Sequence, residues 1–265
     1  METIAIIGTG MAGMAAGYFL KDEFQIVFYE KNSYPGGHTN TLTIDEDGRP
    51  VYIDSGFMVY NEITYPNLTR LLKELDVSTA ATSMSFSFSH LPSGLEYCGT
   101  GINGLFAQRK NILNPRFIRM LAAMHRFNRE APKVLRDSKY QAYTLEEYVN
   151  EKNYGEDFFD KYFLPMSSAV WSTPPDLMLK FPAVTLVRFF KNHGFLGLRT
   201  HYQWRTVVGG SKEYRDKILR CFKDRVFLKR PAVKILRERG KVSVCDEGGT
   251  KTVYDKVIGE NPLGN

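Results

Sequence analysis

Three glycines and one acid near the N-terminus have the types and spacing needed to hold a phosphate-bearing ligand. Gly8-Thr9-Gly10-Met11-Ala12-Gly13 fits G-x-G-x-x-G, and Glu30 follows 22 positions after the first glycine. Each glycine has its own physical task. Gly8 permits a tight turn, Gly10 lets the backbone approach a pyrophosphate, and Gly13 allows a helix to pack closely on a strand. A helix starting at Met11 and Ala12 offers free N–H groups and a positive dipole end to the phosphates, and the Glu30 carboxylate suits ribose hydroxyls. The doublet Gly36-Gly37, followed by His38, adds a loop without bulk that can lie against a ligand and a polar ring able to reach it.

Other chemistry has less support. His90, His125, His193 and His201 show no metal-ligand spacing, so no metal is assigned. Ser167-Ser168 and Ser211 lack a G-x-S-x-G setting, which removes nucleophilic hydrolysis. Cys98, Cys221 and Cys245 are odd in number and widely spaced, as reduced thiols are. Trp171 and Trp204 are read as core aromatics.

The elements that must position these residues follow from the pattern. Ile4 to Ile7 reads as a strand buried on both faces, Met11 to Leu20 as a helix, and Gln25 to Tyr29 as a second strand ending at Glu30. The chain then makes a β excursion, with strands over 39–44 and 51–53 around Asp45-Glu46-Asp47-Gly48, and a helix over 66–75. Alternation over 84–89 predicts a strand, and Asn114-Pro115 opens a helix that the spacing carries to 136. Helices are also predicted over 144–152, 156–164, 183–192 and, capped by Ser211, 212–222. Short strands follow at 226–227, 233–236, 242–245, 252–253 and 255–258.

At 265 residues with 43% hydrophobic and 24% charged positions, the chain is long and apolar enough for a folded core, which excludes disordered and collagen-like classes. The N-terminus shows no signal-peptide pattern and no apolar run spans a membrane, so a cytoplasmic location is expected. Charge is segregated. Residues 109–139 hold nine Lys/Arg against two acids, and residues 212–241 hold twelve against four. Neither block carries a nucleic-acid reader motif, and no nucleic-acid partner is expected. The helix from 115 is read either as a domain-packing face with a solvated basic side, the preferred reading, or as a basic amphipathic helix making weak contact with an anionic membrane surface.

Taken together, Ile6-Ile7-Gly8-Thr9-Gly10-Met11-Ala12-Gly13, Tyr29-Glu30-Lys31 and Gly36-Gly37-His38-Thr39 resemble the FAD motif of the flavin-dependent amine oxidase and phytoene desaturase superfamily. Gly37-His38-Thr39-Asn40-Thr41, Asp54 to Glu62, Asn192-His193-Gly194 and Gln203 to Ser211 are similar to a bacterial and plant branch of FAD/NAD-binding oxidoreductases, also found at the N-terminus of some plant cyclopropane fatty acid synthases. The resemblance implies an α/β fold: a Rossmann-like FAD-binding domain with a parallel sheet and β excursion (1–60 and 205–265), and an inserted, mainly helical α+β substrate domain (61–204). It implies hydride removal by FAD from a C–N or C–C unit of a small-molecule or acyl substrate. Gly8, Gly10 and Gly13 would hold the pyrophosphate. Glu30 would serve the adenosine ribose, Gly37, His38, Gly56, Phe57 and Met58 would line the cofactor, Val233 would meet the adenine through its backbone, and Met11, Ala12 and Lys31 are further cofactor-binding positions. No catalytic base is assigned. Family members commonly have Arg where this chain has His38, exchanging a permanent charge for a titratable ring. The chain also ends after the strand at 255–258, where such proteins continue, so it is expected to be the front portion of one, by truncation or frame change, and two rivals stay open: a non-catalytic fragment and a nicotinamide-dependent dehydrogenase.

Overall fold

The apolar run at the N-terminus forms β1 (Thr3–Ile7), followed by α1 (Met11–Leu20) and β2 (Gln25–Tyr29), in a computed structural model that describes residues 1–197 and 202–259. The β excursion is an antiparallel hairpin of β3 (Thr41–Glu46) and β4 (Arg49–Asp54), turning where Asp47 and Gly48 both take positive φ. α2 (Pro66–Glu74) opens on a proline, whose missing N–H costs nothing there, and β5 (Thr79–Thr82) follows.

The next stretch holds a second hairpin, β6 (Ser87–His90) with β7 (Leu95–Cys98), then α3 (Gly101–Leu105), α4 (Pro115–Glu130) and α5 (Leu145–Lys152). α6 (Glu156–Phe158) continues through a wider turn at 159–163 into α7 (Leu164–Trp171), and α8 (Pro175–Leu179) and α9 (Ala183–Asn192) complete it. The chain then returns to α/β structure: β8 (Trp204–Val207), α10 (Lys212–Leu219), β9 (Val226–Phe227), β10 (Ala232–Glu238), β11 (Lys241–Asp246), β12 (Lys251–Tyr254) and β13 (Lys256–Gly259).

Two compact units result, one of residues 1–82 with the described residues from 204 onward, the other of the described residues in 83–203. The first boundary therefore falls after Thr82 and not at 60. Leu71 and Leu72 are buried in the same core as Ile4 and Tyr60, and β5 pairs antiparallel with β8. The long helix predicted to 136 ends at Glu130 and tightens into a 3-10 turn over Ala131–Leu135, because Pro132 cannot donate the next helical bond. The strand predicted over 84–89 starts only at Ser87, and the helix predicted to end at 164 runs on to Trp171. His201 and the tail 260–265 lie outside the described residues.

In the α/β unit four parallel strands stand in the order β13-β1-β2-β9. Side chains alternate across the sheet, so Ile4, Ile6, Ile26 and Phe28 pack with Met14, Tyr214 and Ile218 on one side. Ala5, Val27 and Tyr29 pack on the other with Val244 and Tyr254 of the antiparallel sheet β10-β11-β12. Both faces are covered, which is why the strand sequences are continuously apolar. In the helical unit the core is aromatic: Phe127, fully buried, has its ring centroid 5.3–6.4 Å from those of Tyr154, Phe158, Phe163 and Phe190. α5 starts with a full capping box of Thr144 and Glu147.

Candidate functional site

The turn between β1 and α1 opens onto a cavity of about 1020 Å³ in the α/β unit. Gly8, at φ +97°, donates its N–H to the Tyr29 carbonyl (2.8 Å) and takes the chain out of the strand. Gly13 faces inward, where a Cβ would overlap the Gly8 carbonyl oxygen, and one turn on a Cβ at Gly17 would overlap the Phe28 ring. Gly10 differs from both. Its φ of −60° suits any residue and a Cβ there would meet no protein atom within 4 Å, yet it lies on the cavity wall. No side chain caps the start of α1 at Gly10, so the helix presents its first N–H groups at this wall.

Glu30 sits at the end of β2, only 4% exposed, and also lines the cavity. Its Oε2 accepts from the Thr9 N–H (3.0 Å) and the Thr9 hydroxyl (2.5 Å), while Oε1 accepts from the Asn32 N–H (2.9 Å). Burial pushes the Glu30 pKa up, and the bonds from Thr9 and Asn32 overcome it, holding the carboxyl below the ordinary range and charged. The Thr9 hydroxyl in turn accepts from the Gly36 N–H (3.0 Å). One fully buried threonine thereby ties the β1–α1 turn, the acid and the glycine doublet together.

The doublet loop is folded tightly against that turn. Gly37, at φ +58°, comes so close that a Cβ would lie 3.4 Å from the Gly10 Cα, and Gly56 lies against His38, where a Cβ would overlap its carbonyl. Asp54 anchors the next layer. It accepts from the Ser211 N–H (2.8 Å) and hydroxyl (2.7 Å) and from the Thr41 hydroxyl (2.6 Å). Ser211 is therefore not the side-chain cap of α10: its hydroxyl is spent on Asp54, and the Thr41 hydroxyl of β3 accepts from the first helical N–H, that of Lys212 (2.9 Å).

Of the residues read from the sequence, Gly8, Gly10, Met11, Ala12, Glu30, Lys31, Gly37, His38 and Phe57 share the cavity wall. Gly13, Gly56, Met58 and Val233 lie off it. Gly13 and Gly56 serve close packing, Met58 is 54% exposed with its carbonyl bonded to the Thr206 hydroxyl, and Val233 is 49% exposed at a register shift in β10. Pro231 and Ala232 form that part of the wall instead. The sequence reading also missed Thr9, whose signal is a hydroxyl at the first variable position of the glycine motif, and the apolar floor of Leu68, Leu71 and Tyr65, which carries no local signal. Trp171 packs on Phe181 and Phe189 in the helical unit, and Trp204 is buried in the α/β unit. Among the described residues no group of three or more His, Cys, Asp or Glu is placed to hold a metal ion, and no helix is long and apolar enough to cross a membrane.

A sequence-family model described as flavin containing amine oxidoreductase matches residues 11–259. No curated protein matches the sequence. Among solved structures, cyclohexylamine oxidase from Brevibacterium oxydans IH-35A is similar over 97% of this chain and 57% of its own, at 17% identity and TM-score 0.72. A putrescine oxidase triple mutant is similar over the same shares at 18% identity and TM-score 0.71. A CLA-producing fatty acid isomerase from P. acnes is similar over 97% of this chain and 58% of its own, at 16% identity and TM-score 0.59. These likenesses show the fold, and the chain spans less than two thirds of the length of each.

Proposed function

Because the chain belongs to the flavin-containing amine oxidoreductase family, we propose that the cavity of its α/β unit holds FAD and that the helical unit, residues 83–203, serves the substrate. The observation that carries the reading is Gly10: neither its φ nor a protein neighbour requires a glycine, and the only thing a side chain there would obstruct is the cavity. The residues present fit the group. The uncapped start of α1 and the open faces of Gly8 and Gly10 suit a pyrophosphate, the charged Glu30 suits ribose hydroxyls, and the cavity at about 1020 Å³ is of the size that takes large cofactors.

In this reading Met11 and Ala12 supply N–H groups to the phosphates, and Glu30, held by Thr9 and Asn32, accepts from the ribose. Lys31 and His38 add polar contacts at the wall, Phe57 gives an apolar surface, and the backbone at Pro231 and Ala232 takes the place assigned to Val233. When bound, the flavin supplies a two-electron acceptor for a hydride. The protein's part is to fix the cofactor and keep water from it, and no catalytic base is assigned.

The substrate class proposed is a C–N or C–C unit of a small-molecule or lipid-like compound, in a cytoplasmic protein. A second reading is that these 265 residues bind FAD without turning over substrate by themselves. The visible spectrum of the purified 265-residue chain, with released FAD measured after heat denaturation, tests the common element. A flavin spectrum with FAD in the supernatant is expected. A folded, colourless protein that takes up no added FAD overturns both readings.

A further inference from the structure

The helical unit exposes aliphatic side chains that its packing does not use. Leu91 and Leu113 are 89% and 90% exposed and Ile102 76%, with Ile112 and Ile118 beside them in the chain at 50% and 43%. Single exposed leucines are ordinary. Gln108 ties together the segments that carry Leu91 and Ile112–Leu113 at one tip: its Nε2 donates to the Gly94 carbonyl (2.8 Å) while its Oε1 accepts from the Glu96 N–H and the Asn111 amide (3.2 Å each). The turn between β6 and β7, which carries Leu91, is thus fastened to the segment that carries Ile112 and Leu113. Arg109 reaches Asn103, next to Ile102 on α3 (3.5 Å), and Asn114 caps α4 so that Leu113 precedes the helix and Ile118 lies one turn inside it.

The same tip is basic. Arg109, Lys110 and Arg119 are exposed and make no ion pair among the described residues. Of the nearby acids, Asp157 is already held by Arg116 (3.0 Å) and Lys161 (2.5 Å), Glu156 acts on Arg116, and Glu96 is bonded to the Ser89 hydroxyl (3.2 Å). Two arginines of α4 are structural, as a packing face requires: Arg116 pairs with Asp157, and Arg126 donates to the carbonyls of Lys152 and Asn153 (2.7 Å each). The remaining cations stand around the aliphatic group, and a partner that matches both chemistries has an anionic surface over an apolar interior. We propose that this tip docks on an anionic lipid bilayer, with Leu91, Ile102, Ile112 and Leu113 entering the interface and Arg109, Lys110 and Arg119 meeting the head groups. The proposal does not depend on the cofactor reading.

The test is flotation of the 265-residue chain with phosphatidylcholine vesicles and with vesicles of seven parts phosphatidylcholine to three parts phosphatidylglycerol, at about 0.15 M salt. Binding to the anionic vesicles is expected. The triple variant Arg109→Gln, Lys110→Gln, Arg119→Gln should weaken it on the order of a hundredfold, from about fivefold per cation. The double variant Leu91→Gln, Leu113→Gln, at positions outside the core, should weaken it by about tenfold or more. Equal binding to the two vesicle types overturns the proposal, and so does a double variant that binds as the parent does, since that leaves adsorption through the second basic block. Sedimentation of the parent and the double variant without vesicles decides a further alternative: a change in oligomeric state would assign the tip to contact between copies and overturn the lipid assignment.

Discussion

In the α/β unit the closest packing is made by residues without side chains, and in the helical unit by the largest ones. Gly13 lies on the Gly8 carbonyl and Gly37 on Gly10, so the turn, the helix and the doublet loop meet backbone to backbone, while Gly17 makes room for the Phe28 ring. Phe127, by contrast, is enclosed by four rings, and Tyr148, Phe158, Phe163 and Phe190 are buried with it. Backbone contact leaves main-chain donors facing a cavity, while ring packing leaves none. The first arrangement can bind a polar ligand closely; the second makes a core.

Removing a ring should produce the largest effect. Phe127→Ala deletes a fully buried side chain and should cost about 3–5 kcal/mol of stability, read by denaturant unfolding. FAD uptake by the folded fraction should be unchanged. If the folded variant loses FAD, the separation of a binding unit from a ring-packed unit fails.

The two kinds of glycine should then separate. Gly13→Ala places a methyl group on a carbonyl that cannot move without distorting the turn, and should cost about 1–3 kcal/mol and FAD affinity together. Gly10→Ala meets open space and should cost no more than about 1 kcal/mol, the penalty of alanine at a helix start, yet still weaken FAD binding. Thermal melts with a flavin-fluorescence titration measure both. A Gly10→Ala protein that binds FAD like the parent would falsify the placement of the pyrophosphate.

How much of this was legible in the sequence follows from the same contrast. β1, α1 and β2 and the spacing to Glu30 are local, because glycine conformations and apolar runs are set by near neighbours. The pairing of β5 with β8 joins Thr79–Thr82 to Trp204–Val207, two four-residue segments with the whole helical unit between them in sequence, and no local pattern announces it. Thr9 reads as a filler between glycines until Glu30 and Gly36 are folded onto its hydroxyl. Gly56, Met58 and Val233, cofactor positions by resemblance, lie off the cavity wall: Gly56 is packed against His38, and Met58 and Val233 are exposed.

Thr9 sharpens the comparison at a single hydroxyl. Thr9→Val keeps the shape and removes a charge-assisted bond to buried Glu30, worth about 1.5–3 kcal/mol, whereas Thr9→Ser keeps it. Valine should weaken FAD binding and serine should restore most of it. The pH dependence has a definite sign. Glu30 is held below its ordinary pKa, so its contribution is present above the unfolded value of about 4.3 and lost as pH falls through the folded value. Without the hydroxyl the folded pKa rises and FAD is released at a higher pH on the acid side. Identical release curves for the valine and serine variants would remove the strut from the site.

The smallest effect is expected at Glu151, the helical unit's nearest counterpart to Glu30. Its carboxylate accepts from Lys139 (2.6 Å), Tyr143 (2.8 Å) and Tyr140 (3.1 Å), and these bonds, Lys139 first, bring its pKa down to about 2. The sign is that of Glu30: stabilisation is present above about 4.3, the unfolded value, and fades as pH falls toward 2. Glu151→Gln should therefore lower the melting temperature slightly at neutral pH, and the gap from the parent should close through that acid window. The group lies at the surface, where solvent and salt screen its partners, so raising the salt should narrow the gap at pH 7 as well. FAD release, which the proposed site assigns to Glu30, should not move. A Glu151→Gln protein whose FAD release shifts with its melting temperature would show that the two carboxylates belong to one cooperative structure, and the contrast between a binding unit and a ring-packed unit would not survive.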